Sequence, residues 1–147
     1  MDSDTKQQRL EEFERLCREE GIPCTVQRRA ILAAVLDRDD HPGADQLFRD
    51  VSKHNRGISR ATVHRTLETL SRLGMITKAC HPGKVIRYDA RIEIHHHLVC
   101  MRCDKVIDFN DDRLDSLQVP DTSPFGFETI DFRVQLRGIC DECREKP

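Results

Sequence analysis

Tryptophan is absent, tyrosine occurs once, and aromatics make up 5% of the 147 residues. With 34% of positions charged, such a chain builds thin cores, and a metal ion or a partner subunit then helps to hold the fold. No apolar run approaches the roughly 20 residues needed to cross a bilayer. The opening stretch MDSDTKQQRLEEFERL is polar and acidic, unlike a secretory signal. The expected location is therefore the cytoplasm, where thiols stay reduced. Internal repeats and low-complexity tracts are also lacking.

Against these absences stand seven cysteines. In a reducing compartment they point to metal or redox chemistry rather than to disulfides. Formal net charge is −2, but it is unevenly spread. From Val51 to Tyr88 there are eight basic residues (Lys53, Arg56, Arg60, Arg65, Arg72, Lys78, Lys84, Arg87) against Glu68, a local +7 between acidic flanks. A basic patch of this kind is the electrostatic footprint of nucleic-acid binding, though a solvated face gives the same pattern.

Residues 5–20 read as a charged helix stopped by Gly21 and Pro23. Thr25 caps a second, with Val26, Ala30, Ile31, Ala34 and Val35 as its apolar stripe. A third helix, residues 44–52, buries Leu47, Phe48 and Val51. Ser59 caps a fourth that runs to Leu73 and stops at Gly74. Val63, Leu67 and Leu70 share one face of it; Ala61, Arg65, Glu68 and Arg72 lie opposite. MITKAC and KVIRYD follow as strands around a turn at His81-Pro82-Gly83. Three helices followed by a β-hairpin describe a winged helix-turn-helix. Its last helix would enter the major groove, where small Ala61 allows close approach and Arg60, Thr62, His64 and Arg65 supply donors. The remainder reads as α+β: two short strands within residues 98–109, a helix over 111–117, and a half-buried strand through Ile130, Phe132, Val134 and Leu136. The expected architecture is α+β, a winged helix over residues 1–88 followed by a small α/β dimerisation domain over 89–147.

Two Cys-x-x-Cys pairs, Cys100/Cys103 and Cys140/Cys143, are separated by 36 residues. Each places two thiolates on one tight turn, and four thiolates satisfy Zn²⁺ with no open position. One structural zinc per chain would then add folding energy on the order of 10–16 kcal/mol, as in zinc-finger peptides. A second cluster is harder in donor character. If residues 95–97 are extended, His95 and His97 point to one side and His96 to the other, with Asp89 and Asp108 nearby in sequence. Imidazoles with carboxylates suit Fe²⁺, Mn²⁺ or Zn²⁺ at moderate affinity, as a sensor requires.

In order and spacing, QRRAIL, HPGADQLF, ISRATVHRTLETLSRLGMI, RYD, HHHLVCMRCDKVIDF and GICDEC resemble the ferric uptake regulator family over about residues 20–143. The resemblance implies a bacterial homodimeric repressor that binds a palindromic DNA operator. It also implies structural zinc on Cys100, Cys103, Cys140 and Cys143, and a regulatory metal on His41, Asp89, His95, His97 and Asp108. His41 enters only through the resemblance; by itself it reads as part of a polar turn. Three departures stand out. His64 replaces the usual tyrosine of the recognition helix, and Val26 replaces the proline of Thr-Pro-x-Arg. Ile94 and Phe132 occupy two histidine positions of a further metal site, leaving His96 and Asp115 without those partners. Asp108, where iron-uptake members commonly carry Glu, points to the peroxide-responsive branch. An iron-, manganese- or zinc-uptake regulator is the alternative.

A small zinc hydrolase built on the His-x-His pair and Asp108 is a different class of reading. It lacks any HExxH or His-x-Glu…Pro-Cys-x-x-Cys pattern that would aim a general base at bound water. A redox switch run by Cys17, Cys24 or Cys80 is a third, with buried inert thiols as the default.

Overall fold

The computed structural model describes residues 2–79 and 85–145. Cys80, Lys84 and the expected turn at His81-Pro82-Gly83 lie outside them. The chain divides into two compact units, residues 1–92 and 93–147.

In the first unit, helix α1 (Ser3–Glu19) starts where Asp2 accepts from the Thr5 amide. It buries Leu10, Phe13 and Cys17, one helical face at three- and four-residue steps. Gly21, at φ 64°, supplies the left-handed stop, and the Ile22 amide returns to the Cys17 carbonyl at 2.8 Å. Helix α2 (Val26–Leu36) is capped by Thr25 as expected. Its core face is Ile31, Leu32, Val35 and Leu36, whereas Val26 is 78% exposed. The buried face begins a turn later than the spacing suggested, after the exposed first turn. Helix α3 (Ala44–Ser52) buries Leu47 and Val51, with Phe48 half-buried. Helix α4 (Arg60–Arg72) is capped by Ser59 and followed by Gly74 at φ 69°. It turns Val63, Thr66, Leu67 and Leu70 into the core. Strands β1 (Thr77–Ala79) and β2 (Arg87–Asp89) pair antiparallel, so the unit is a winged helix-turn-helix with one additional leading helix.

In the second unit, β3 (His96–Cys100) is the centre of a three-stranded sheet. Strand β4 (Val106–Phe109) pairs antiparallel on one side and β5 (Gln135–Gly138) parallel on the other. Helix α5 covers only Asp112–Asp115, inside the expected 111–117, and α6 spans Asp141–Arg144. The expected strand through residues 130–136 is a correction. Extended pairing starts at Gln135, opposite His97, and Ile130 is 94% exposed. A parallel partner can ladder only where β3 itself is extended, and β3 begins at His96. Leu98 sits in register with Ile107 and Leu136, and all three are at least 40% exposed. That apolar face has no cover within the chain's described residues. No helix among them is long and apolar enough to cross a membrane.

Removing the α4 cap tests the helix assignment. The Ser59 hydroxyl accepts from the Thr62 amide at 3.0 Å, so Ser59→Ala should lower unfolding stability by about 1 kcal/mol. The check is a shift in urea midpoint with unchanged m-value; an unshifted midpoint would place the helix start elsewhere.

Candidate metal centres and nucleic-acid interface

The four sulfurs of Cys100, Cys103, Cys140 and Cys143 lie within 4.8 Å of one another. Local turns bring each pair to this point. Cys100 ends β3, and the chain reverses through Asp104 at φ 60° so that the Cys100 amide donates to the Lys105 carbonyl at 2.9 Å. Cys140 is the N-cap of α6, and the Cys143 amide returns to its carbonyl at 3.0 Å. Arg102 Nη1 donates to the Cys143 carbonyl and Lys105 pairs with Glu142, tying the two knuckles together. Zn–S bonds of about 2.3 Å in a tetrahedron require sulfurs about 3.8 Å apart. Cys103 and Cys140 are separated by 3.7 Å. Backbone amides, that of Cys140 first, hold the Cys100 thiol down to about 6, below the ordinary thiol value and toward the thiolate that zinc takes. Hydrogen bonding with the Cys103 and Cys140 thiols pushes Cys143 up to about 12. The donor set is complete for zinc and leaves no coordination position for catalysis.

Harder donors gather elsewhere in the second unit. His95 Nδ1 is 2.8 Å from the Glu93 carbonyl, which can only accept. The ring proton of the neutral imidazole is therefore on Nδ1, and Nε2 presents a lone pair, the arrangement usual for a ligating histidine. His97 Nε2 lies 3.0 Å from it, and Asp108 Oδ1 is 3.5 Å from both nitrogens. His97 and Asp108 are direct partners across the β3–β4 ladder. The alternation expected for residues 95–97 is present: two rings converge and His96 points away.

The first unit carries a second donor pair. Asp89 closes β2, where its Oδ1 accepts from the Arg91 amide at 2.7 Å. Its Oδ2 is 3.5 Å from His41 Nε2. His41 has φ 51°, and its loop is held on β2 by the Tyr88 amide, which donates to the Pro42 carbonyl at 3.0 Å. Both side chains are buried.

On α4, Ala61, His64 and Arg65 are exposed and Thr62 is half-buried with its hydroxyl 2.9 Å from that of Ser59. Arg65 makes no ion pair among the described residues. Arg60 is already engaged: it pairs with Asp45 of α3 and lies 4.6 Å over the Phe48 ring. Much of the basic segment is similarly offset, Lys53 by Asp50, Lys78 by Glu68 and Arg72 by Glu20. Asp45, Asp50 and Glu20 lie outside the segment, so a charge sum over it does not register them, whereas Glu68 is the acid already counted within it. His96 and Asp115, without histidines at positions 94 and 132, lie against each other, with His96 Nε2 2.9 Å from Asp115 Oδ1.

A match to the ferric uptake regulator family covers residues 19–137. The peroxide-responsive repressor PerR of Staphylococcus epidermidis is 28% identical over 137 residues, spanning 93% of this chain and 91% of that protein. Its counterpart in Staphylococcus aureus strain Mu50 is 29% identical, with 93% of each chain covered. Among solved structures, a zinc-bound manganese uptake regulator superposes with a TM-score of 0.64 at 32% identity, over 86% of this chain and 97% of that one. The Helicobacter pylori ferric uptake regulator, described with three functional metal-binding sites, superposes at 0.79 and 20% identity, over 96% and 95% of the two chains. With its winged helix, its four-sulfur cluster and its histidine–aspartate donors, this chain belongs to the ferric uptake regulator family of metal-dependent transcriptional repressors.

Proposed function

We propose that the chain is a cytoplasmic, homodimeric repressor whose regulatory metal makes it responsive to peroxide. The observation that carries this reading is the donor set: His95, His97 and an aspartate, Asp108, facing one another, in a chain alignable almost end to end with peroxide-responsive repressors. His41 and Asp89 are the further proposed ligands, and Fe²⁺ or Mn²⁺ is the proposed regulatory ion, with Zn²⁺ accepted by the same donors. The first unit, expected as residues 1–88, reads DNA through α4. The second, 89–147, pairs two copies through the uncovered face of Leu98, Ile107 and Leu136. Two copies then present two α4 helices to a palindromic operator.

Fe²⁺ held there would supply the electrons that activate hydrogen peroxide, which Mn²⁺ would not; overall one peroxide would give one oxygen to a ring carbon of His41 or His95 and leave as water. Modification of either ring would weaken the hold on metal without any thiol taking part. No catalytic role toward an external substrate is proposed, because the ferric uptake regulator family consists of transcriptional regulators. An iron- or manganese-uptake regulator is the second reading, favoured by the 32% identity to a manganese uptake regulator.

Three outcomes test the proposal. Cys140→Ser should lose the chelation-resistant zinc and the dimer together, by metal analysis and light scattering; a zinc-loaded dimeric variant would contradict the structural-site assignment. Arg65→Ala should weaken binding to every duplex and lower the slope of log affinity against log salt by about 1, whereas unchanged binding would mean that α4 faces elsewhere. Protein loaded with Fe²⁺ should gain oxygen on peptides containing His41 or His95 after peroxide, and release DNA; Mn²⁺-loaded protein should do neither. Oxidation confined to cysteines, or none with DNA still bound, would favour the uptake-regulator reading.

A further inference from the structure

His96 is fully buried, carries two ring nitrogens, and is used by neither metal centre. Its surroundings belong wholly to the second unit and come from both sides of β3. Nδ1 accepts a hydrogen bond from the Val134 amide at 3.1 Å. The Val134 carbonyl in turn accepts from the His97 amide at 3.0 Å. Residue 134 is thus held at both its backbone polar groups, by the ring of one residue and the backbone of the next. Parallel pairing with β5 starts immediately afterwards, at His97 opposite Gln135. At the other end of the ring, Nε2 lies 2.9 Å from Asp115 Oδ1 at the end of α5, in a bent contact. Phe109 and Phe132 flank the ring, with centroids 5.7 and 6.2 Å away.

We propose that His96 is a positioning residue for the metal-sensing ligands: its ring pins residue 134 to β3 and spans to α5, fixing the strand geometry that brings His95 and His97 together on the opposite side. The inference rests on the metal-sensing reading above. The physical argument is the two-residue period of an extended chain. Rotation of residue 96 about the strand axis moves both neighbours, so a middle ring hydrogen-bonded to the Val134 amide and packed between Phe109 and Phe132 fixes the directions of the flanking two. Because Nδ1 accepts from Val134, a neutral ring carries its proton on Nε2, facing the Asp115 carboxylate. The ring is therefore held in one orientation rather than two. A pair of ring nitrogens 3.0 Å apart is at the spacing that two nitrogens sharing one ion require.

The experiment uses the full chain and three substitutions: His96→Ala, His96→Asn, whose amide oxygen replaces Nδ1 as acceptor for Val134, and His96→Gln, which reaches toward Asp115 instead. Readouts are zinc content, hydrogen exchange at the Val134 amide, and Mn²⁺ affinity by electron paramagnetic resonance. His96→Ala should keep its zinc, lose Val134 protection and bind Mn²⁺ about 10–100-fold more weakly. His96→Asn should restore protection and most of the affinity, and His96→Gln should restore neither. Should the alanine variant fail to fold, the Asn–Gln contrast decides. Unchanged Mn²⁺ affinity in His96→Ala and His96→Gln, equal losses in Asn and Gln, or loss of zinc alongside Mn²⁺ binding would overturn the inference. Wild-type protein and His95→Ala separate the underlying reading: if the two bind Mn²⁺ alike, the sensing assignment itself is wrong, and this inference goes with it.

Discussion

The period of two along residues 95–100 is the constraint on which the second unit depends. Extended backbone alternates its side chains, so one short segment serves two purposes without conflict. His95 and His97 meet near Asp108 on one side, while His96 turns to Asp115 and Val134 on the other. The same strand ends in Cys100, and hence in the sulfur cluster. A one-residue slip would exchange the sides, separating both histidines from Asp108 at once.

Metal is suited to such a unit because apolar burial there is slight. Among the described residues, Val99, Cys100 and Val106 are its fully buried apolar side chains, whereas Phe125, Phe127 and Ile130 are largely exposed. Four thiolates around zinc would substitute for a core that the composition cannot supply. The first unit has the opposite economy. Its helices and β2 bury a continuous cluster from Leu10 through Ala90. The polar chemistry there sits at the margins, in the His41 loop, at Asp89 and along the outer face of α4.

The charge on that outer face shows why local sums mislead. Arg60 is neutralised by Asp45 and stacked on Phe48, so phosphate must compete for it. Arg65, one helical turn and a residue further on, is exposed and available. The difference between two arginines of one helix is made by α3, which neither the motif nor the composition registers.

The sequence by itself determined whatever depends on neighbours close along the chain. Caps at Thr25 and Ser59, stops at Gly21 and Gly74, and the cysteine knuckles follow from backbone geometry within a few residues. That His95 and His97 lie on one side of the chain and His96 on the other is what an extended segment implies. The reach of β5 was not legible, because apolar alternation at residues 130–134 says where a strand could form but not whether β3 extends far enough to pair with it. His41 carries no local mark of its role; its approach to Asp89 is set by a loop laid against β2. The Arg60–Asp45 pair and the His96–Asp115 contact join elements that the chain visits at separate times. Only the tertiary structure decided these, because a side chain's partner across elements is fixed by packing and not by spacing.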